Sequence, residues 1–511
     1  MEQLTYYHVC IFLALLLPLL ARKLKKRDTN GVRLPPGPWQ LPIIGSLHHL
    51  LRNPLAYRAM ADIARRLDAP LIYLRLGENP VVVASSKDAA REFMKTHDAN
   101  FATRPWSPTV RTMMVDGQGL LFARYGPLWR ELRKISILEL LSARRVQSFR
   151  RVREEEAGRL VAAVAASPPG EAVNVSERIA VLINDAVMRA MIGDRFERRE
   201  EFLEGLDEAV KITSGFNLSD LFPSSRLAKL FGGTARRAEA NHRKNFELMD
   251  YAIKQHEERR AAMAAAADGT VQEEDLVDVL LRIQREGGLE VPLTMGVIKA
   301  VILDLFGAGS ETSATTLQWA MSELMRNPRV MHKAQAELRG CLQGKPTVTE
   351  DDLADLKYLR LIIKETLRLH PAVPMLLPRE CQESCKVMGY DIPKGTTVLV
   401  NVWAISRDPN YWDDAETFKP ERFEAKNVDF KGTDFEFTPF GAGRRVCPGI
   451  TFAQASMELI LAALLYHFDW ELPAGLPPSA LDMNEVLGIT VRRKHDLYLH
   501  PVVRVAPREA T

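Results

Sequence analysis

The segment FGAGRRVCPG, Phe440 to Gly449, places Cys447 among three glycines and two arginines near the end of a 511-residue chain. Five cysteines are scattered through the sequence (Cys10, Cys341, Cys381, Cys385, Cys447), an odd number that argues against a disulfide framework and for a reducing compartment. Glycine permits the backbone dihedrals that turn N–H groups toward a sulfur, and N–H groups so placed stabilise a thiolate. CQESC, Cys381 to Cys385, lacks the second Cys or His pair that a zinc site needs. A second grouping, GAGSET from Gly307 to Thr312, interrupts apolar sequence with Glu311 and Thr312. Each glycine in a helix interior costs about 1 kcal/mol relative to alanine. The segment therefore reads either as close helix packing with an exposed polar turn, or as a kinked turn beside a ligand. A third grouping, KETLR, sets Glu365 and Arg368 on one helical face inside apolar flanks, with Arg422 of PERF as a further partner. A buried pair of this kind requires additional hydrogen bonds.

These residues need elements to hold them. Leu293 to Pro328 reads as one helix, with Thr294 as N-cap and Pro328 as stop. At 1.5 Å per residue it spans about 50 Å and crosses the whole body. LIYLRLG and VVVAS, within Leu71 to Ser85, predict a hairpin, and Thr396 to Ser406 contains a late β-rich run. Glu257 to Asp275, Ala-rich and charged, reads as an exposed loop or frayed helix between two helices. With 46% hydrophobic residues and a net charge of +3 the composition is that of a globular protein with a large core. There is no fixed-period repeat and no long linker, so residues 46–511 read as one domain.

The first 45 residues differ. Tyr6 to Ala21 is nearly uncharged and apolar, and Arg22, Lys23, Lys25, Lys26 and Arg27 follow at once. In a cleavable signal peptide the charge precedes the apolar run; here it follows, so residues 1–27 read as a retained anchor with the basic flank in the cytosol. The run is shorter than the usual span of about 20 residues, which leaves monotopic insertion open. Residues 28–45, with Pro35, Pro36, Pro38 and Pro42, read as a stiff hinge.

FGAGRRVCPG, AGSET, KETLR and PERF, with WRELR (Trp129 to Arg133) upstream, together resemble the cytochrome P450 superfamily over the whole chain. PPGPWQLPIIGSLHHL and PERF are most similar to the microsomal plant A-type, or 71-clan, members. The resemblance implies a mainly α fold with small β-sheets, a single large catalytic domain behind an N-terminal membrane anchor. It implies heme b, its iron ligated axially by the Cys447 thiolate, which pushes electron density to iron and favours O–O cleavage. Phe440, Gly443, Arg445, Cys447 and Gly449 fall at the motif's spacing, and the glycines allow close approach of a flat macrocycle. Carried over by motif, Trp129 and Arg133 lie near the haem carboxylates, Arg445 and Arg379 (in LLPRE) neutralise them, and Glu365, Arg368 and Arg422 form a structural triad. Glu311 and Thr312 match the acid–alcohol pair that supplies protons for splitting dioxygen.

The reaction implied is RH + O2 + NADPH + H+ → ROH + H2O + NADP+. The rivals are desaturation or ring formation by the same machinery and, more remotely, a haem carrier or sensor. There is no GxGxxG turn between a strand and a helix, so electrons come from outside, by resemblance from NADPH–cytochrome P450 reductase at the endoplasmic reticulum membrane. Arg130, Lys134 and Arg444 read either as a solvated face or as a basic docking face. No nucleic-acid partner is expected. Segments near Val110 to Leu121, Val210 to Phe222, Leu303 to Ala308, Ala372 to Pro378 and Leu487 to Thr490 are expected around the substrate. They are mainly apolar, which points to a lipophilic small molecule, with a plant terpenoid favoured over phenolic lipid, indole-like and oxime substrates.

Overall fold

Residues 31–51, 53–213, 217–266, 273–473 and 475–507 are described by the computed structural model of the chain. The apolar run Tyr6 to Ala21 and its basic flank lie outside them. The expected hairpin forms from β1 (Leu71–Leu76) and β2 (Asn79–Ala84), which pair antiparallel from Leu71 opposite Ala84 to Leu76 opposite Asn79. The β-branched run that follows far later becomes β4 (Thr397–Val400), parallel to β2, and β3 (Arg379–Glu380) closes the four-stranded sheet against β4. This edge strand carries Arg379 toward the interior. The proline-rich segment is pinned along β1: Tyr73 N–H donates to Pro36 O at 2.8 Å and Ser46 N–H to Arg75 O at 2.6 Å.

Helices build the rest. Those used below are α1 (Pro127–Ile135), α2 (Val175–Ile192), α3 (Arg199–Thr213), α4 (Thr234–Ala266), α5 (Leu276–Glu286), α6 (Met295–Arg326), α7 (Lys357–Leu369) and α8 (Ile450–His467). Part of the Ala-rich stretch is thus the end of α4, and Asp275 opens α5 in a reciprocal capping box with Asp278. The long helix α6 starts as expected, with the Thr294 hydroxyl accepting from Val297 N–H, and ends before Pro328, which serves as first residue of the next helix. It runs through the middle of the body against α2, α7 and α8. Among the described residues α8 is the one helix long and apolar enough to cross a membrane, but 72% of it is buried in the protein, where an all-round apolar helix belongs.

Glu365 and Arg368 on α7 are fully buried, and Arg422 nearly so. Both oxygens of Glu365 accept from Arg368 at 2.8 Å, and one also accepts from Arg422 Nε at 3.0 Å and Lys419 N–H at 2.8 Å. The remaining guanidinium N–H groups find backbone carbonyls, those of Ser406 and Ala415 at 2.7 Å among them. One carboxylate thereby gathers the irregular chain from residue 406 to 422. Arg368 also lies over Trp412, whose ring begins a run of contacts through Phe423, Phe437 and Phe430 to Phe440 at the head of the cysteine loop. Removing one partner from a buried charge network strands the others, at a cost of about 3–5 kcal/mol. Glu365→Ala should therefore lower stability by that amount in denaturant titration; a midpoint and slope equal to wild type would mean that the network carries no stability.

Candidate active site

The cysteine loop is shaped by close approach. Gly443 has φ +71°, and a Cβ there would stand 2.1 Å from the Met94 carbonyl oxygen and 2.7 Å from Asp98 Oδ1. With Gly443 in place, Asp98 reaches the loop and accepts from Arg444 N–H at 2.8 Å. A short 3-10 turn, Gly443–Arg445, then brings Cys447 round so that its N–H donates to Phe440 O at 3.0 Å, and α8 begins three residues later. Burial pushes the Cys447 thiol up, while the Gly449 N–H and the Arg133 guanidinium favour its thiolate.

Cys447 lies in the wall of an internal cavity with about 250 Å³ open to the centres of water molecules. Across that cavity α6 contributes Ala308, Gly309, Thr312 and Ser313. The helix is continuous there. Thr312 Oγ1 donates to Ala308 O at 2.7 Å, and Ser310 and Thr316 bond back four residues in the same way. A Cβ on Gly307 would meet nothing within 4 Å, and one on Gly309 only Val187 at 3.7 Å. The glycines do not serve close packing, and the helix runs unbroken through a turn that forms part of the cavity wall.

The structure brings Thr312 to the cavity but not the Glu311 carboxylate. Successive helical residues are about 100° apart, and Glu311 is held on the flank of α6, accepting from the Thr490 hydroxyl at 2.6 Å and pairing with Arg492 Nε at 2.9 Å. Its side chain is 22% exposed, so it reaches solvent. The acid inside the cavity is Asp304, two turns before Thr312 on the same face of α6. Burial pushes its carboxyl up to about 7, against the pull of the Leu121 and Leu120 N–H groups. Asp304 falls in a segment expected around the substrate, but nothing in LDLFG distinguishes an inward aspartate from an outward one.

Arg133, Arg379 and Arg445 line the cavity beside Trp129 and Phe440, and Arg104 joins them. Arg104 stands in FATRPW, without a spacing signal of its own. Arg445 lies 4.3 Å over the Trp129 ring and donates to the carbonyls of Ala102 at 2.7 Å and Ala123 at 2.6 Å. Arg104 donates to those of Leu377 and Pro378, both at 2.8 Å. Neutral carbonyls satisfy N–H groups without balancing charge. Among the described residues the one carboxylate in ion-pair reach of these four guanidiniums is Asp98, 3.2 Å from Arg379. The effect on the cations is visible. Burial, with Arg379 and Arg133 alongside, pushes Arg445 down to about 9, and burial, with Arg445 and Arg379, lowers Arg104. Such a wall fits a flat group that brings its own carboxylates, as haem does, and sets that group beside the Cys447 sulfur. Of the segments expected around the substrate, Leu120, Leu121, Asp304, Leu305, Ala308, Ala372, Val373, Leu376 and Leu377 line the cavity; among the described residues none from 210–222 or 488–490 does, whereas α2 does, through Val187, Ala190 and Met191.

The family model described as Cytochrome P450 matches residues 35–498. The chain is 49% identical to zealexin A1 synthase of Zea mays over 96% of each chain. It is 46% identical to premnaspirodiene oxygenase of Hyoscyamus muticus, over 96% of this chain and 97% of that protein. A solved zebra fish cytochrome P450 in a structure with abiraterone superposes with a TM-score of 0.73 at 24% identity, over 88% of this chain and 100% of the other, and so shares the fold.

Because a side chain at Gly443 meets backbone on one side and a carboxylate on the other, the cysteine loop cannot keep its course around a Cβ. The left-handed backbone alone costs a non-glycine residue about 1–2 kcal/mol. Gly443→Ala should lower the haem-to-protein absorbance ratio of the purified chain several-fold, roughly as that cost implies; an unchanged ratio would show that the loop tolerates a side chain there.

Proposed function

The chain belongs to the cytochrome P450 family, and we propose that it is a membrane-anchored haem-thiolate monooxygenase that inserts one atom of dioxygen into a terpenoid, with electrons from NADPH through a cytochrome P450 reductase. The observation that carries this reading is the cationic wall short of carboxylates beside Cys447, facing an apolar chamber that contains Thr312. Arg104, Arg133, Arg379, Arg445 and Trp129 hold the haem carboxylates by charge-assisted hydrogen bonds. Phe440, Gly443 and Gly449 shape the loop from which the Cys447 thiolate would bind the haem iron. Bound in this way, haem supplies dioxygen activation, and electron donation from the thiolate favours O–O cleavage.

The remaining tasks fall to the chain. The Thr312 hydroxyl turns from the Ala308 carbonyl to hold a water molecule and pass a proton at Oγ1. Glu311, held outside the cavity by Thr490 and Arg492, takes up protons at the solvent-reaching flank and would swing from those partners to pass them toward that water. Val187, Leu305, Ala308 and Val373 exclude bulk water and orient the substrate. An apolar chamber with one inward carboxyl suits a lipophilic hydrocarbon skeleton. That premnaspirodiene oxygenase, a relative at 46% identity, is named for a diene supports a terpenoid over a phenolic lipid, an indole or an oxime. Residues 1–27 hold the protein at the endoplasmic reticulum membrane, with residues 28–45 as connector and residues 46–511 in the cytosol. Arg130, Lys134 and Arg444 are exposed, and a basic face made of them would meet an acidic reductase.

The full chain, reconstituted with reductase and NADPH and offered polycyclic sesquiterpene and diterpene hydrocarbons under ¹⁸O2, should release product carrying one ¹⁸O. Product without ¹⁸O would replace hydroxylation with desaturation or ring closure. Absence of dioxygen-dependent NADPH oxidation across the panel would contradict the reading altogether. Thr312→Ala should keep substrate binding by spin-state shift and divert NADPH electrons to hydrogen peroxide, lowering product per NADPH by about 10-fold or more. An unchanged coupling ratio would assign Thr312 to helix packing alone.

A further inference from the structure

Asp304 has no part in the oxygen chemistry proposed above, yet it is a carboxyl group on the wall of the substrate chamber. Its partners are all on one loop. Leu121 N–H donates to Asp304 Oδ2 at 2.8 Å. A Cβ on Gly119 would stand 2.1 Å from that oxygen and 2.9 Å from the Ala300 carbonyl, so the residue two positions before Leu121 must be glycine for the loop to lie this close to α6. The same peptides are also held from the other side of the cavity: Leu121 O accepts from Arg104 Nε at 3.1 Å and Leu120 O from Arg445 Nη1 at 3.3 Å. At the start of the loop, Asp116 Oδ2 meets His242 Nε2 of α4 at 2.7 Å. Leu120 and Leu121, strung between these ties, face the chamber.

We propose that Asp304 is a specificity-determining positioning residue: by accepting the Leu121 N–H beside Gly119 it fastens the loop 117–121 to α6 and so fixes the chamber wall that bulky ligands meet. The proposal rests on reading this cavity as the substrate chamber. Asp304 acts through the loop and touches no reacting atom. When Asp304 is removed the loop stays tied at Asp116 by His242 and at the Leu121 and Leu120 carbonyls by Arg104 and Arg445, so loss of this one bond loosens the loop from α6 at the Leu121 N–H and leaves the cysteine side intact. A hydrogen bond to a partly ionised acceptor is worth enough to change a local opening equilibrium by about tenfold or more.

The test uses the full-length holoprotein as wild type, Asp304→Ala, Asp304→Asn and Gly119→Ala. Hydrogen exchange of the peptide containing Leu121 should be about tenfold faster in Asp304→Ala and within about threefold of wild type in Asp304→Asn, whose side-chain carbonyl still accepts. Optical titration with imidazole and with clotrimazole reports a small and a bulky nitrogen ligand at the same iron. The ratio of their affinities should fall about tenfold in Asp304→Ala and be kept in Asp304→Asn, with the ferrous carbon monoxide spectrum unchanged in both. Gly119→Ala, which forces the loop from Asp304 on the other side, should match Asp304→Ala and serves if that variant takes up no haem. Unchanged exchange at Leu121 in Asp304→Ala, or an Asp304→Asn as damaged as Asp304→Ala, would overturn the tether. A wild-type protein whose haem spectrum responds to neither azole would contradict the chamber reading instead, with the exchange result still deciding the tether.

Discussion

Four guanidiniums, two of them buried, share one wall, and among the described residues the one carboxylate in ion-pair reach of them is Asp98. Backbone carbonyls accept from Arg104, Arg379 and Arg445, but each cation still raises the cost of its neighbours, as the lowered Arg445 and Arg104 show. Taking charges out of water is favourable only when opposite charge arrives with them. The wall is therefore built for an anionic group, and the position of Cys447 beside it determines what else that group must offer: an atom that a thiolate can bind. The apolar chamber beyond follows from the same requirement, since low polarity strengthens the charge pairing and keeps water from the reaction.

The scaffold can be read as support for that wall. Asp98 is tied to both Arg379 and the backbone of Arg444, so it joins the sheet edge to the cysteine loop. On the opposite side Glu365 gathers the chain from 406 to 422, and aromatic rings carry that rigidity to Phe440. Helix α6 closes the chamber from above, and its threonine and serine hydroxyls bond back to the helix without breaking it. Its two acids are divided by helical phase: Glu311 faces Arg492 and solvent, whereas Asp304 faces the loop 117–121.

Much of this was legible in the sequence, for physical reasons. The helix Met295–Arg326 announces itself by a cap, a stop and unbroken apolar flanks, and the hairpin Leu71–Ala84 by alternation around a turn. Cys447, Arg445 and Gly443 are legible through their match to the family's cysteine motif, where glycine admits the close approach that the loop requires. The directions of side chains were not legible. Glu311 and Thr312 are adjacent in sequence and about 100° apart on the helix, so their separation depends on which partner, Arg492 or the cavity, captures each. Arg104 and Asp304 carry no local signal because their partners, Leu377 and Leu121, come from elsewhere in the chain. GAGSET is less telling, since Gly307 and Gly309 have room for a Cβ and the helix runs through them unbroken.

The central claim is that the Cys447 sulfur is the axial ligand of a haem whose carboxylates the guanidinium wall receives. The most direct measurement is the absorption of the ferrous carbon monoxide complex of the full chain, wild type against Cys447→Ala. The account predicts the red-shifted thiolate band in the wild type and its complete loss in the variant. The same red-shifted band in Cys447→Ala would contradict it, because the ligand would then be another group and the wall would serve some other anion.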